Sequence, residues 1–228
     1  TRSHFGSRIC ELAAFFSLPV CGATFATMQL LALVLYKWKE DKAVEVQTNF
    51  DLSKFGFFHK GPIKEHIKFH SRLCATRTPP GQRLTMEFDQ NLGKCFTWHH
   101  PSGVAATVLV TEGYPHRVAT TLLAEAVKTF LDTVNPTQWQ AAQEDTQCNA
   151  PEVEALFVKF QNPQEADKLT KIERDLDEVK ETVMHSMDEL LKRGESLDAL
   201  MQKSKDLSNT SVQFYRTAKK NNQCCKLY

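Results

Sequence analysis

Hydrophobic and polar positions change period several times along this chain. From Met28 to Tyr36 an apolar run of strand length carries no charge, and from Ala43 to Phe50 Val44 and Val46 alternate with Glu45 and Gln47. Together they predict a hairpin across the charged turn Lys39 to Lys42. Ile63, Ile67, Phe69 and Leu73 then follow helical spacing until Pro79-Pro80-Gly81 stops the chain. Leu84, Met86 and Phe88 alternate with Arg83, Thr85, Glu87 and Asp89; beyond Asn91-Leu92-Gly93, Phe96 and Trp98 alternate with Cys95, Thr97 and His99. This predicts a second hairpin with one buried face. Val104 to Val110 reads as a β-branched strand, and after Pro115 the residues Val118, Leu122, Val127, Phe130, Leu131 and Val134 share one side of an amphipathic helix ended by Asn135-Pro136. The order strand, strand, helix, three strands, helix predicts an antiparallel α+β domain.

The pattern then switches to a seven-residue repeat. Asn162-Pro163-Gln164-Glu165 is a helix start, with a capping residue, a proline at the first helical position and a glutamate three after the cap. Alternating steps of three and four give Leu169, Ile172, Leu176, Val179, Val183, Ser186, Leu190, Arg193, Leu197, Leu200, Ser204, Leu207, Ser211, Phe214, Ala218 and Asn221. Eleven of these sixteen are apolar and the positions between are mostly charged or amide, so the segment predicts a long helix whose seam needs partner helices. Arg193 interrupts the seam between Leu190 and Leu197. Left unpaired in a bundle, its guanidinium would cost several kcal/mol, about 3–5 for a broken buried pair, which disfavours self-association with Arg facing Arg. Either partners with neutral acceptors, such as glutamine carbonyls, take its hydrogen bonds, or the side chain snorkels out of an ordinary coiled coil.

Composition narrows the class. At 228 residues with 42% hydrophobic and 24% charged residues, the chain can hold one ordinary domain plus an extended element. A net charge of +1 argues against a general nucleic-acid binder. Seven scattered cysteines lack the spacing of a disulfide framework and fit a reducing compartment. From Leu12 to Tyr36 no charge occurs, which resembles a signal peptide or anchor; Pro19, Gly22 and the use of its second half as a strand oppose that, and residues 1–27 are expected to be an extension outside the domain. His66 and His70 lie four apart, but Ile67 stands where H-E-x-x-H needs glutamate, so a solvated helix face is expected rather than a metal site. His99 and His100 read as strand-end surface residues as easily as anything else. No phosphate-loop, dinucleotide or nucleophile-elbow motif occurs, and no cofactor is implied.

The ending Cys224-Cys225-Lys226-Leu227-Tyr228 places one cysteine where a C-a-a-X prenylation signal has it and a second thiol beside it. Two lipid chains hold a protein on a membrane where one gives only marginal, reversible binding. The alternative is a tail with two incidental thiols.

Leu190-Leu191-Lys192-Arg193-Gly194-Glu195-Ser196-Leu197-Asp198-Ala199-Leu200, with Ser211-Val212-Gln213-Phe214 downstream, resembles the central-layer signature of R-SNARE proteins of the synaptobrevin class. Tyr114-Pro115-His116-Arg117-Val118-Ala119 and Phe160-Gln161-Asn162-Pro163-Gln164-Glu165-Ala166-Asp167 are similar to segments of longin-domain SNAREs. With the double-cysteine ending, the family resembled is the prenylated longin-domain R-SNAREs of Golgi, endosomal and vacuolar fusion. The resemblance runs from Met28 to Tyr228 and implies an extension at 1–27, a longin domain at 28–161, a SNARE motif at 162–222 and a lipidation tail at 223–228.

The implied fold is a longin, profilin-like antiparallel sheet with flanking helices, followed by a long SNARE coiled-coil helix. The implied function is fusion through a four-helix bundle with three Q-SNARE partners. Arg193 would occupy its central layer, and Leu169, Ile172, Leu176, Val179, Val183, Leu190, Leu197, Leu200, Leu207 and Phe214 its core layers. Cys225 would carry the prenyl group and Cys224 a palmitoyl or second lipid. The family also implies an intramolecular longin–SNARE contact at Phe69 that gives a closed cytosolic form; a plain core phenylalanine is the other reading of that position. The terminal Tyr228 and Lys226 depart from the usual prenylation preferences and leave the isoprenoid open. Two other classes stay open: a longin-type adaptor or tether without fusion activity, and a protein acyltransferase, for which no Cys/His or Ser/His arrangement is visible.

Overall fold

The computed structural model describes the backbone of residues 28–39, 42–88, 93–169 and 180–225, and side chains within them except at 167–169 and 218–225. Strands β1 (Leu30–Lys39) and β2 (Lys42–Phe50) form the first hairpin, helix α1 (Phe57–Arg77) follows, and β3 (Arg83–Glu87), β4 (Lys94–His99) and β5 (Val104–Val110) complete the antiparallel part of the sheet. Helix α2 (His116–Thr133), the short α3 (Pro136–Gln140), α4 (Pro151–Lys159) and α5 (Pro163–Leu169) come next. The sheet order is β2-β1-β5-β4-β3, with a sixth strand, β6 (Glu181–Met184), added beside β3.

The uninterrupted apolar run of β1 is explained by its place inside the sheet, where both faces are covered. Leu33 and Leu35 point into a core shared with Phe96, Val108, Leu122, Val127 and Phe130, the side covered by α2. Ala32, Val34 and Tyr36 point the other way, toward Phe69, Leu73, Leu84 and Met86, the side covered by α1. Tyr36 hydrogen-bonds Ser71 at 2.9 Å, fixing α1 against the sheet. Tyr114 donates to the Phe160 carbonyl at 2.7 Å and so ties the start of α2 to the end of α4.

Two expected boundaries move. Helix α1 begins at Phe57, a turn and a half before the first periodic residue, and tolerates Pro62 near its start; it ends at Arg77, with Thr78 as its cap, before the Pro-Pro-Gly stop. Helix α2 ends before Asn135, which caps a new helix by accepting from the Thr137 amide at 3.0 Å. The loop between α3 and α4 is laid along β2: the amides of Thr146 and Cys148 donate to the carbonyls of Glu45 and Val46 at 2.8 and 2.7 Å. That pairing carries Asp145 to the C-terminal half of α1.

The surface reading of His99 is corrected. It is 1% exposed, its Nδ1 lies 3.0 Å from the Thr78 carbonyl, and its ring meets Trp38 at 4.6 Å. A strand-end imidazole here closes the gap between sheet and helix end, and burial holds its pKa below the usual value.

Candidate functional site: the folded-back heptad segment

The seven-residue repeat does not run as one helix in this conformation. After α5, and beyond residues 170–179, the chain forms β6, which joins the sheet, and then a 3₁₀ turn at Met187–Leu190, helix α6 (Leu197–Lys203) and helix α7 (Asn209–Cys225), laid on the α1 side of the sheet. The physical reason is that a lone amphipathic helix cannot bury its seam, whereas short pieces can each turn an apolar residue inward. Serines make the breaks. Ser186 accepts from the Asp188 amide at 3.2 Å, Ser196 from Ala199 at 3.3 Å, Ser204 from Asp206 at 3.1 Å and Ser208 from Ser211 at 3.2 Å.

Strand β6 pairs in parallel with β3, Arg83 opposite Glu181 and Met86 opposite Met184. Glu181 accepts from Thr85 and lies 3.0 Å from His116 Nε2, and His185 meets Glu87 at 2.8 Å. Next, Leu190 is buried, and Lys192 to Glu195 make a turn closed by the Glu195 amide on the Lys192 carbonyl at 2.9 Å. Gly194 stands in that turn at φ +87°, a left-handed conformation that suits glycine. Arg77, in the last turn of α1, grips Glu195 with two hydrogen bonds of 2.9 and 2.7 Å.

Helix α7 runs antiparallel along α1. The Ser208 amide donates to Glu65 at 2.7 Å, His66 Nε2 lies 3.0 Å from the Ser211 carbonyl, and the Phe214 ring lies 6.4 Å from that of His59. The His66 and His70 rings stack at 5.9 Å, and His70 meets Phe69 and Phe88 edge-on. The expected solvated face is therefore corrected to a packed one. Burial pushes the His70 pKa down to about 3, with His66 adding to the effect; burial also lowers His66 against the opposing pull of Ser211 and Glu65. Among the described residues no third His, Cys, Asp or Glu joins this pair in a cluster that could hold a metal ion.

A charged network lies beside the last turns of α1. Arg72 reaches Asp206 at 2.6 and 2.9 Å and Asp145 at 3.1 and 2.9 Å, with Glu45 3.7 Å away. Lys68 pairs with Glu45 at 2.8 Å and Lys205 with Asp145 at 3.0 Å. Burial by itself would lower the Arg72 pKa, but its hydrogen bonds to Asp206 and Asp145 and its attraction to Tyr36 and Asp206 outweigh that and raise it. Three cations thus balance three carboxylates in a half-dry site.

The predicted seam divides among these environments. Leu190 is buried with Phe69, Leu73, Leu84 and Met86, and Leu197, Leu200 and Leu207 pack half-buried against the same cluster. Phe214 lies against the histidines, Val183 is 49% exposed and Arg193 is exposed. Ile172, Leu176 and Val179, like residues 1–27, lie outside the described residues, as do the side chains of Leu169, Cys224 and Cys225. Met201 and Val212, off the seam, are buried at 1% and 6% exposure. Sequence reading passed over them, and over Arg72, Asp206, Arg77 and Glu195, because heptad spacing marks the face a helical partner would cover. The recurring Ser-x-Asp at 186, 196 and 204 was the available signal for caps.

The arrangement covers leucines of the predicted seam with the α1 side of the sheet. Full burial of a leucine such as Leu190 is worth about 1.5–3 kcal/mol, and the partly buried Leu197, Leu200 and Leu207 gain less, so the fold-back would compete with any helical bundle that used them. No helix among the described residues is long and apolar enough to cross a membrane.

Comparison with known proteins agrees with this architecture. The synaptobrevin family model matches residues 168–227, and the longin model, described as a regulated-SNARE-like domain, matches residues 52–154. The chain is 36% identical over 202 residues to the VAMP-like protein YKT61 of Arabidopsis thaliana, covering 88% of this chain and 100% of that one. It is 36% identical over 185 residues to the putative synaptobrevin homolog YKT6 of Dictyostelium discoideum, covering 81% and 92%, and 33% identical over 199 residues to the synaptobrevin homolog YKT6 of Eremothecium gossypii, covering 87% and 98%. A longin domain followed by a SNARE motif defines the class. The chain belongs to the YKT6-type, longin-domain R-SNARE family. Membership carries a general role in vesicle fusion, with SNARE-complex partnering and membrane anchoring, and sets the chain apart from enzymes.

Proposed function

We propose that the chain is a lipid-anchored R-SNARE that zippers with three Q-SNARE helices into a parallel four-helix bundle and is held inactive by its own longin domain. The observation that carries this reading is the double use of Leu190, Leu197, Leu200 and Leu207, which are predicted seam residues and also line the α1 side of the sheet. Arg193 contributes no packing to the fold-back, so its place in the sequence is accounted for by the bundle, where three glutamines accept its hydrogen bonds. Phe69, 5% exposed in the cluster that receives Leu190, serves the closed state. Cys225 carries a prenyl group and Cys224 a second lipid, and the protein cycles between cytosol and the cytoplasmic face of Golgi, endosomal and vacuolar membranes. The domain limits are 28–161 for the longin domain, 162–222 for the SNARE motif and 223–228 for the tail.

Arg193→Leu tests the central layer. Liposome fusion with glutamine-bearing partner helices falls while helicity of the assembled bundle, read by circular dichroism, is kept, because the apolar seam survives and the glutamines lose their donor. Unchanged fusion rate and partner selectivity would defeat the assignment.

A further inference from the structure

Phe57 and Phe58, the first two residues of α1, are 84% and 88% exposed, and their rings meet edge-to-face at 5.5 Å. The other large apolar side chains exposed among the described residues, Met28, Val158 and Val183, are no more than 65% exposed. The pair costs the folded protein solubility without contributing to either core. Exposed Lys54, Lys60 and Lys64 flank it, with Lys64 Nζ 4.9 Å over the Phe50 ring. The nearby carboxylates offset them only in part: one of the three lysines, Lys54, interacts with Asp51. Asp51 is engaged by Ser53 and Gln29 as well as Lys54, and Glu65 is turned to the Ser208 amide on the face that receives α7.

The direction of α7 adds a second observation. Its contacts descend α1 from Ser208 at Glu65 to Phe214 at His59, and the helix then continues to Cys225. At 1.5 Å per residue that continuation is about 16 Å, directed past the Phe57 end of α1. The backbone that bears both tail cysteines therefore leaves on the side where the aromatic pair stands.

We propose that Phe57, Phe58, Lys54, Lys60 and Lys64 form a membrane-contact site whose ligand is the surface of an anionic lipid bilayer, engaged while the SNARE segment is still folded back. Aromatic rings settle at the headgroup boundary and the lysines answer the negative surface, each worth about 1 kcal/mol, or about fivefold in affinity. The site supplies the weak first contact that a single lipid chain lacks. It rests on the membrane-directed part of the reading above, and it is tested without the lipids that part invokes.

The probe is a set of phosphatidylcholine vesicles with and without phosphatidylserine, sedimented with full-length chain carrying Cys224→Ser and Cys225→Ser. Binding is expected only with phosphatidylserine, falling about tenfold or more in Phe57→Ser/Phe58→Ser, about fivefold for each of Lys60→Gln and Lys64→Gln, and with added salt. Since these residues are exposed, circular dichroism and the closed-state amide protection should be unchanged. No sedimentation, or sedimentation indifferent to these substitutions, overturns the proposal, as does a Phe57→Ser/Phe58→Ser effect confined to self-association in light scattering. The Arg193→Leu fusion assay uses lipidated chain, so either reading can fail without the other.

Discussion

Arg72 and Asp206, 134 positions apart, face each other in a two-armed ion pair with Nε–Oδ2 at 2.6 Å and Nη2–Oδ1 at 2.9 Å. Asp206 has 5% of its side chain exposed and Arg72 14%, so water screens the pair weakly. The bond joins the longin helix to the stretch between α6 and α7, and the same guanidinium is held from the other side by Asp145. It acts as a fixed point around which the two short helices are hung.

Asp206→Ala removes one carboxylate from a balanced cluster. Asp145 and Glu45 remain to hold Arg72, so the loss is about 2 kcal/mol rather than the 3–5 of an orphaned charge. Amides of α6 and α7 should exchange with deuterium about thirtyfold faster, those of β1 and β5 at their original rate. Equal protection across both regions would show that the pair does not secure the fold-back.

Histidine sets the pH dependence of closure. His66 and His70 have depressed pKa values when α7 is docked. The opened chain therefore takes protons first as pH falls. Closure is undisturbed above about pH 7, weakens as pH drops through about 6.5, and loses up to about 1.4 kcal/mol per pH unit through His66, whose Nε2 faces the Ser211 carbonyl of α7. Glu65, whose carboxyl is held below its usual range in spite of burial by hydrogen bonds from Ser208 and Ser211, adds a further loss at more acid pH. Protection of α7 measured between about pH 7.5 and 5.5 should fall in the native chain and stay level in His66→Gln/His70→Gln. A native profile as flat as the variant's would remove the histidines from the account.

Gly194→Ala separates the two states without touching a contact. Its Cβ would meet open space, yet φ +87° strains any L side chain, costing the closed turn about 1 kcal/mol. In a continuous helix alanine is better than glycine by about 1 kcal/mol. Both effects favour opening, and together they predict a population shift of about thirtyfold, read as faster assembly with partner helices. Slower or unchanged assembly would mean that the turn is not the conformation from which zippering starts.

For the tail, the arithmetic of buried methylenes at about 0.8 kcal/mol each separates the two cysteines. Cys225→Ser should leave the chain without stable membrane residence, by losing both the prenyl group and the membrane proximity that acylation needs, and with no more than weak contact through its folded surface. Cys224→Ser should leave a species that visits membranes and departs. Intact-mass spectrometry of membrane-bound protein from its own cells decides the matter, since an unmodified Cys224-Cys225-Lys226-Leu227-Tyr228 end would sink the anchor.

The strand order was legible from the apolar runs and from the Pro-Pro-Gly stop after α1, but the single buried face expected of the second hairpin is corrected: Arg83 and Thr85 are buried as well as Leu84 and Met86, and Phe96 lies on the α2 side while Leu84 and Met86 lie on the α1 side. The seven-residue repeat was visible for a similar reason, its regular spacing. What the repeat could not convey is which surface covers it, and here that surface is α1 rather than three helices. The division into β6, a 3₁₀ turn, α6 and α7 depends on serine caps that each cost a bundle little, so no single residue announces it. His66 and His70 looked solvated because a helical wheel of α1 alone has no knowledge of α7. Arg72 and Asp206 each resemble an ordinary surface charge until the loop carrying Asp145 and the end of α6 converge on them.

Strand β6 satisfies more than its own backbone. By pairing with β3 from Arg83 to Met86, it takes β3 out of the edge position and becomes the short outer strand itself, and the Arg83 amide already donates to the Lys180 carbonyl at 2.9 Å. When the SNARE segment leaves, β3 becomes a bare edge whose amides and carbonyls can pair with any extended chain, including another copy. An opened molecule waiting for partners is thus an aggregation risk, and the cell gains from coupling opening to partner supply. Overproduction of an open variant such as Gly194→Ala without partner helices should end in precipitate through β3, with the closed strand acting as the chain's own solubility guard.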